Sequence, residues 1–221
     1  MRLSGVWTTN AAALLLGFGM YSAFILIPQF VQTSTSTGYG FGASVSQAGL
    51  FLVPTTIALM ITSPISGRLS NVVGSKVPLV LGSLVTALAF VVLAAAGSRW
   101  EIYLASALLG IGVGFAFASL ANLIVEAVPQ GQTGVATGMN TIVRTIGGAI
   151  GAVVAASVLS AHVLAGGEPS KGGYTITFSI CAAVLLVGVL ASLAVPGRGR
   201  RQARSIELVD LDSSTDSRIA A

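Results

Sequence analysis

With 221 residues, 54% of them hydrophobic and only 8% charged, and a mean hydropathy of +0.90, the chain lies far from the roughly 25% charge of a soluble domain. That composition excludes a water-soluble fold, and the length leaves no separate soluble catalytic domain beside the apolar stretches. The net charge of +4 rests on few ions and reads as a membrane-topology bias, so nucleic acid is not an expected partner.

Six apolar stretches follow in chain order, at residues 8–31, 47–66, 77–97, 102–127, 133–161 and 174–195. Each meets the length of about 20 mostly apolar residues that a helix needs to cross a bilayer core. The fold class expected is therefore all-α integral membrane. Residues 1–196 form one six-helix transmembrane domain, and residues 197–221 form a disordered cytoplasmic tail, basic at first and then acidic and serine-rich. The first stretch is too long for a signal peptide and runs into Pro28-Gln29 without a small-residue cleavage pattern, so it is the first span.

The second span holds Gln47, Thr55, Thr56, Thr62 and Ser63, with Pro54 and Pro64, which can kink it. The third and sixth contain no charge, Asn or Gln, as expected of outer helices facing lipid. The fourth carries Asn122 and Glu126, and the fifth carries Thr133, Thr137, Asn140 and Arg144. Polar groups at membrane depth are expensive unless they face protein or water. Spans two, four and five, and span one through Asn10, are therefore expected to line something polar. Gly110-x-x-x-Gly114 and Gly147-x-x-x-Gly151 each put two small residues on one helical face, the spacing of close helix packing.

Arg144 is the residue that most needs explaining. It lies about 16 Å along the fifth span from Thr133 at 1.5 Å per residue, on a stripe with Thr137, Asn140, Gly147 and Gly151. Two readings stay open: the arginine faces a cavity or interdomain seam, or it snorkels to the headgroups. Glu126 is the only acid within the spans that could pair with it, although its place at a helix end suits a structural or interfacial role. An acid outside this chain or a substrate anion are the other candidate partners.

Positive charge sets the orientation. Arg2, Arg68, Lys76, Arg198, Arg200, Arg201 and Arg204 flank one side against Arg99 and Lys171 on the other, which places both termini in the cytoplasm. Catalytic chemistry is thin. Cys181 is alone in the last span, His162 sits at an outer end, and neither H-E-x-x-H nor G-x-S-x-G occurs. Neither an enzyme, a metal site nor a cofactor is expected.

Two stretches resemble a known family. Gly67-Arg68-Leu69-Ser70-Asn71-Val72-Val73-Gly74-Ser75-Lys76 resembles the signature inner loop between the second and third helices of a six-helix half in the major facilitator superfamily, G-x-L-x-D-x-x-G-R-K/R. Residues 128–151, with Gly131, Thr137-Gly138-Met139-Asn140, Arg144 and Gly147-Gly148-Ala149-Ile150-Gly151, are similar to the eleventh-helix region of that family's fourteen-helix drug:proton antiporter branch. Pro28-Gln29 fits the seventh-helix pattern of the same branch.

The resemblance covers residues 1 to about 196 and implies the C-terminal six-helix half of a bundle built as a 3+3 inverted repeat. Its implied activity is multidrug efflux by a proton-coupled secondary active transporter, with small amphipathic compounds as substrates. Its implied partners are the lipid bilayer and an N-terminal half or a second copy of this chain, and its implied location is the plasma (inner) membrane. Asn122, Glu126, Asn140 and Arg144 become candidates for the substrate cavity or interdomain seam. In the signature loop, Gly67 and Gly74 would permit a tight turn and Arg68 and Lys76 would supply inward charge. Asn71 and Ser75 replace that loop's usual acid and first basic residue, which weakens any charge relay. A non-transporting membrane subunit or scaffold, and a carrier of another small solute, are the alternatives.

Overall fold

The computed structural model describes residues 4–164 and 166–195; the expected tail at 197–221 lies outside them. Six long helices account for almost all of this: α1 (Ser4–Gln32), α2 (Val45–Val73), α3 (Lys76–Ala95), α4 (Arg99–Ala127), α5 (Thr133–Ala161) and α6 (Lys171–Ala194). All six are long and apolar enough to cross a membrane. In hydrocarbon every backbone amide must be satisfied within its own segment, so an apolar run of this length has little alternative to the helix.

Local chemistry fixes several of the starts. Ser44 and Gln47 form a reciprocal capping box ahead of α2, Ser98 and Glu101 form another ahead of α4, and the Ser170 hydroxyl accepts from the Gly173 amide at the start of α6. Pro28, Pro54 and Pro64 all lie inside continuous helices.

The bundle has two ends. α1 begins and α6 stops at the basal end, where the turns after α2 and α4 also lie; the connections after α1, α3 and α5 lie at the apical end. Contacts pair the helices by an exchange between the two triplets. α1 packs lengthwise on α5, with Asn10, Leu14 and Phe18 meeting Asn140, Gly147 and Gly151, so the two run parallel. α4 packs in the same way on α2, with Ser106, Gly110 and Phe115 meeting Thr55, Thr62 and Ser66. α3 and α6 run antiparallel, joined by a buried 3.1 Å hydrogen bond between the Ser83 and Ser192 hydroxyls. The first helix of each triplet thus lies on the second helix of the other, as a two-fold-related 3+3 repeat requires.

Burial differs among the six helices. α1 and α4 are the most enclosed helices, while α2 and α5 are the least, exposing Ile57, Met60, Ile61, Ile142 and Ile146. α3 and α6 lie between these extremes: they pack on each other and on α4 and α1, and each leaves an apolar stripe exposed, with Leu81, Leu84 and Leu88 on α3 and Leu186, Leu190 and Leu193 on α6. Two hydroxyls of α2 are taken up by helix contact. Thr55 donates to the Ser106 carbonyl at 2.8 Å and Ser66 to the Phe115 carbonyl at 2.8 Å, both across the α2–α4 contact.

The signature segment also differs from a loop. Residues 67–73, including Gly67, Arg68 and Asn71, are the last two turns of α2, and only Gly74, at φ 87°, and Ser75 make the turn before Lys76 opens α3. Gly67 therefore meets no turn requirement, whereas Gly74 adopts a backbone conformation that favours glycine. A hydroxyl bond joins this turn to the bundle: Ser75 donates to Glu126 Oε1 at 3.0 Å.

Candidate functional site

The α1–α5 contact is the closest helix approach in the region of the candidate residues. A Cβ on Gly147 would lie 1.9 Å from the Leu14 carbonyl oxygen, and one on Gly151 would lie 2.5 Å from that of Phe18. Gly17 answers from α1, its face lying against the Arg144 backbone carbonyl. Gly110 and Gly114 do the equivalent on α4, against the Thr55 backbone and the Thr62 side chain.

Next to this seam lies a buried amide pair. Asn140 Nδ2 donates to Asn10 Oδ1 at 2.8 Å, with both side chains enclosed. Asn140 is held between α1 and α5 in this half. A buried amide needs a partner, and the neighbouring helix supplies the nearest one.

Arg144 leaves α5 one turn further on, passes Gly17 of α1 and ends on α4. Its guanidinium carbon lies 4.4 Å from the centroid of the Phe117 ring. The absence of a side chain at Gly17 makes that crossing possible, because a Cβ there would lie 2.9 Å from Arg144 Cγ. The guanidinium is half-buried, and its Nε has no hydrogen-bond partner among the described residues. A cation over an aromatic face gains about 0.5–2 kcal/mol, more when desolvated, so Phe117 compensates only part of the lost hydration. Phe117 is ten residues from the basal end of α4, about 15 Å along the axis.

Glu126 does not meet this arginine. It lies nine residues basal of Phe117, about 13 Å along α4, where it accepts the Ser75 hydroxyl. Asn122 is half-buried on the same helix, between the two levels. The four candidates thus divide into Arg144 on Phe117, Asn140 on Asn10, and the basal pair Asn122 and Glu126.

Sequence reasoning missed Gly17 and Phe117. Gly17 belongs to Gly17-Phe18-Gly19, small residues in a span that already held Asn10, which is a readable sign of close packing. Phe117 carries no such sign, because one aromatic among many in an apolar helix is ordinary. His162 is exposed at the apical end of α5, its Nδ1 2.9 Å from the Val158 carbonyl, and Cys181 is buried in the core of α6.

The apical end is closed by aromatic packing. Phe30 of α1 lies 5.1 Å, centroid to centroid, from Tyr174 of α6 and 5.5 Å from Tyr39 of the α1–α2 connection. The Tyr39 hydroxyl donates to the Pro169 carbonyl, tying that connection to the one between α5 and α6. Burial first, and the Glu168 carboxylate in addition, push the Tyr39 hydroxyl above its ordinary pKa against hydrogen bonds from Thr33 and Thr37 that lower it. The phenol stays protonated and able to donate.

Comparison with known proteins matches residues 9–216 to the model of the Major Facilitator Superfamily. The chain belongs to that family. It is 30% identical over 154 residues to the multidrug resistance protein Stp of Mycobacterium tuberculosis, covering 69% of this chain and 28% of that protein. It is 28% identical over 131 residues to the multidrug transporter protein MdtP of Bacillus subtilis, covering 58% of this chain and 23% of that protein. A crystal structure of a peptide transporter, POT, in complex with sulfate superposes with a TM-score of 0.71 at 16% identity, covering 96% of this chain and 44% of that one. The chain thus spans under a third of the length of these multidrug relatives and under half of that solved transporter. Family and fold are those of membrane transporters and not of enzymes.

Proposed function

We propose that the chain acts as the C-terminal six-helix half of a secondary-active, proton-coupled efflux transporter for small amphipathic compounds, of the fourteen-helix drug:proton antiporter branch. The observation that carries this reading is the seat of Arg144: a guanidinium on Phe117, about 15 Å from the basal helix ends. An arginine at the helix centre costs about 2.5–3.5 kcal/mol on insertion scales, and an acid able to repay it is expected from a second half or a substrate. Two halves of this fold would bind substrate between them and rock for alternating access.

The apolar outer faces of α2 and α5 suit a partner six-helix unit, either an N-terminal half or a second copy. The relatives' names favour multidrug transport over a carrier of another solute or a scaffold. The bias of basic residues supports both termini in the cytoplasm, and the bacterial relatives support a plasma (inner) membrane location. Reporter fusions after residues 40, 72, 99, 130, 168 and 205 should alternate outside and inside, and two consecutive fusions on one side would refute the orientation.

The deciding experiment co-expresses this chain with a matching N-terminal half and follows fluorescent lipophilic dyes in vesicles under an imposed proton gradient. Gradient-driven movement should require both halves. Arg144→Ala should depress it with membrane insertion intact, and Arg144→Lys should restore it only in part, because ammonium lacks the planar fork of guanidinium. Normal transport by Arg144→Leu, with cysteine at 144 closed to water-soluble thiol reagents throughout, would sink the assignment of Arg144.

A further inference from the structure

A cavity of about 440 Å³ opens at the apical ends of α1 and α5 beneath the α5–α6 connection. Its upper wall is polar, with Gln29, Ser160 and Glu168, and Leu159 stands at the level of Ser160; Ile25 and Ala156 form an apolar floor about a turn deeper. The site is separate from Arg144, since Gln29 lies twelve residues beyond Gly17 on α1, about 18 Å along the axis.

The polar wall favours a donor. The Ser160 hydroxyl already donates to the Ala156 carbonyl at 2.8 Å, so its oxygen faces the cavity as an acceptor. Glu168 as a carboxylate is acceptor only, and Gln29 can do either. Among the described residues no cationic side chain lines the cavity. The main chain that carries Glu168 is tied down: Leu164 N donates to the Glu168 backbone carbonyl at 2.8 Å, Ser170 N donates to the His162 carbonyl at 2.8 Å, and Val163 and Pro169 form a bridge. The Tyr39 hydroxyl bond to Pro169 fastens the same hairpin to the α1–α2 connection. A carboxylate on a pinned hairpin above an apolar slot differs from an ordinary surface acid in having an anchored main chain and a hydrophobic floor.

We propose that this groove binds an amphiphilic organic ammonium ion, with its head on Glu168 and Ser160 and its apolar body against Ile25, Ala156 and Leu159. The head donates N–H bonds to the carboxylate and the hydroxyl oxygen, and the body leaves water for the slot between the helices. A soluble amphiphile and an aminophospholipid headgroup share this chemistry. The site does not rest on the transport reading, since it needs only the charge and shape of the apical groove.

The test uses the full chain in phosphatidylcholine nanodiscs, with Val163→Cys in a Cys181→Ala background. Val163 lines the groove and is exposed, so its thiol reports occupancy by the rate of maleimide labelling. Decylammonium should slow labelling saturably, whereas decanol and decanoate should not. Glu168→Gln should weaken that protection about tenfold, the scale of one charge-assisted hydrogen bond. Glu168→Lys should exchange the preference, so that decanoate protects and decylammonium does not. Protection that arises on adding phosphatidylethanolamine to the discs, with no amine, assigns the head to the lipid; protection only by added decylammonium assigns it to a soluble amphiphile. Equal protection by decanol and decylammonium, or unchanged protection in Glu168→Gln with unchanged thermal unfolding, overturns the proposal.

Discussion

Two glycines on one helix should respond in opposite ways to the same added methyl group. At Gly147 a Cβ would stand 1.9 Å from the Leu14 carbonyl oxygen, which is backbone and cannot rotate aside. To reach an ordinary contact near 3.4 Å, α1 and α5 must separate locally by roughly 1.5 Å, in the range where overpacking costs about 1–3 kcal/mol. At Gly138, two and a half turns earlier, a Cβ meets nothing within 4 Å. There the change should recover up to about 1 kcal/mol of helix propensity. Gly147→Ala should therefore unfold at lower SDS mole fraction than the parent, and Gly138→Ala at an equal or higher one, followed by far-ultraviolet circular dichroism. The displacement at Gly147 would also draw Arg144, one turn away, off Phe117. Equal stability of the two variants would refute the close approach of α1 to α5.

The buried amide pair predicts coupling: Asn140→Leu and Asn10→Leu should each destabilise by about 1–2 kcal/mol, and the double variant by less than their sum, in a double-mutant cycle read by the same unfolding assay. Additive losses would mean the two amides do not share a bond. Tyr39→Phe removes the hydroxyl that donates to Pro169 and should destabilise by about 1 kcal/mol while raising proteolysis within residues 33–44. Unchanged cleavage there would show that the apical connections are held by aromatic packing alone. Ser98→Ala should lower stability by roughly 0.5–2 kcal/mol through loss of the capping box with Glu101, checked by thermal unfolding, and a neutral result would place that cap outside the cooperative unit.

Hydropathy alone was sufficient for the six helices, because a chain in hydrocarbon has no solvent for its amides and must bond them locally. The glycine stripes at 110/114 and 147/151 likewise followed from helical period, which fixes the face a residue occupies. Period does not name the neighbour on that face. Only the packed bundle assigned Gly110 and Gly114 to α2 and Gly147 and Gly151 to α1, turned Asn140 onto Asn10, and kept Glu126 with Ser75 instead of Arg144. The signature segment gave way to the same logic: from Gly67 onward its residues could continue α2, and nothing before Gly74 required a turn. Arg144 on Phe117 and Glu168 above its apolar slot unite residues 27 and 143 positions apart in sequence, the latter counted from Ile25. Such pairs are decided by which helices touch, a long-range outcome of packing that no local pattern of residues encodes.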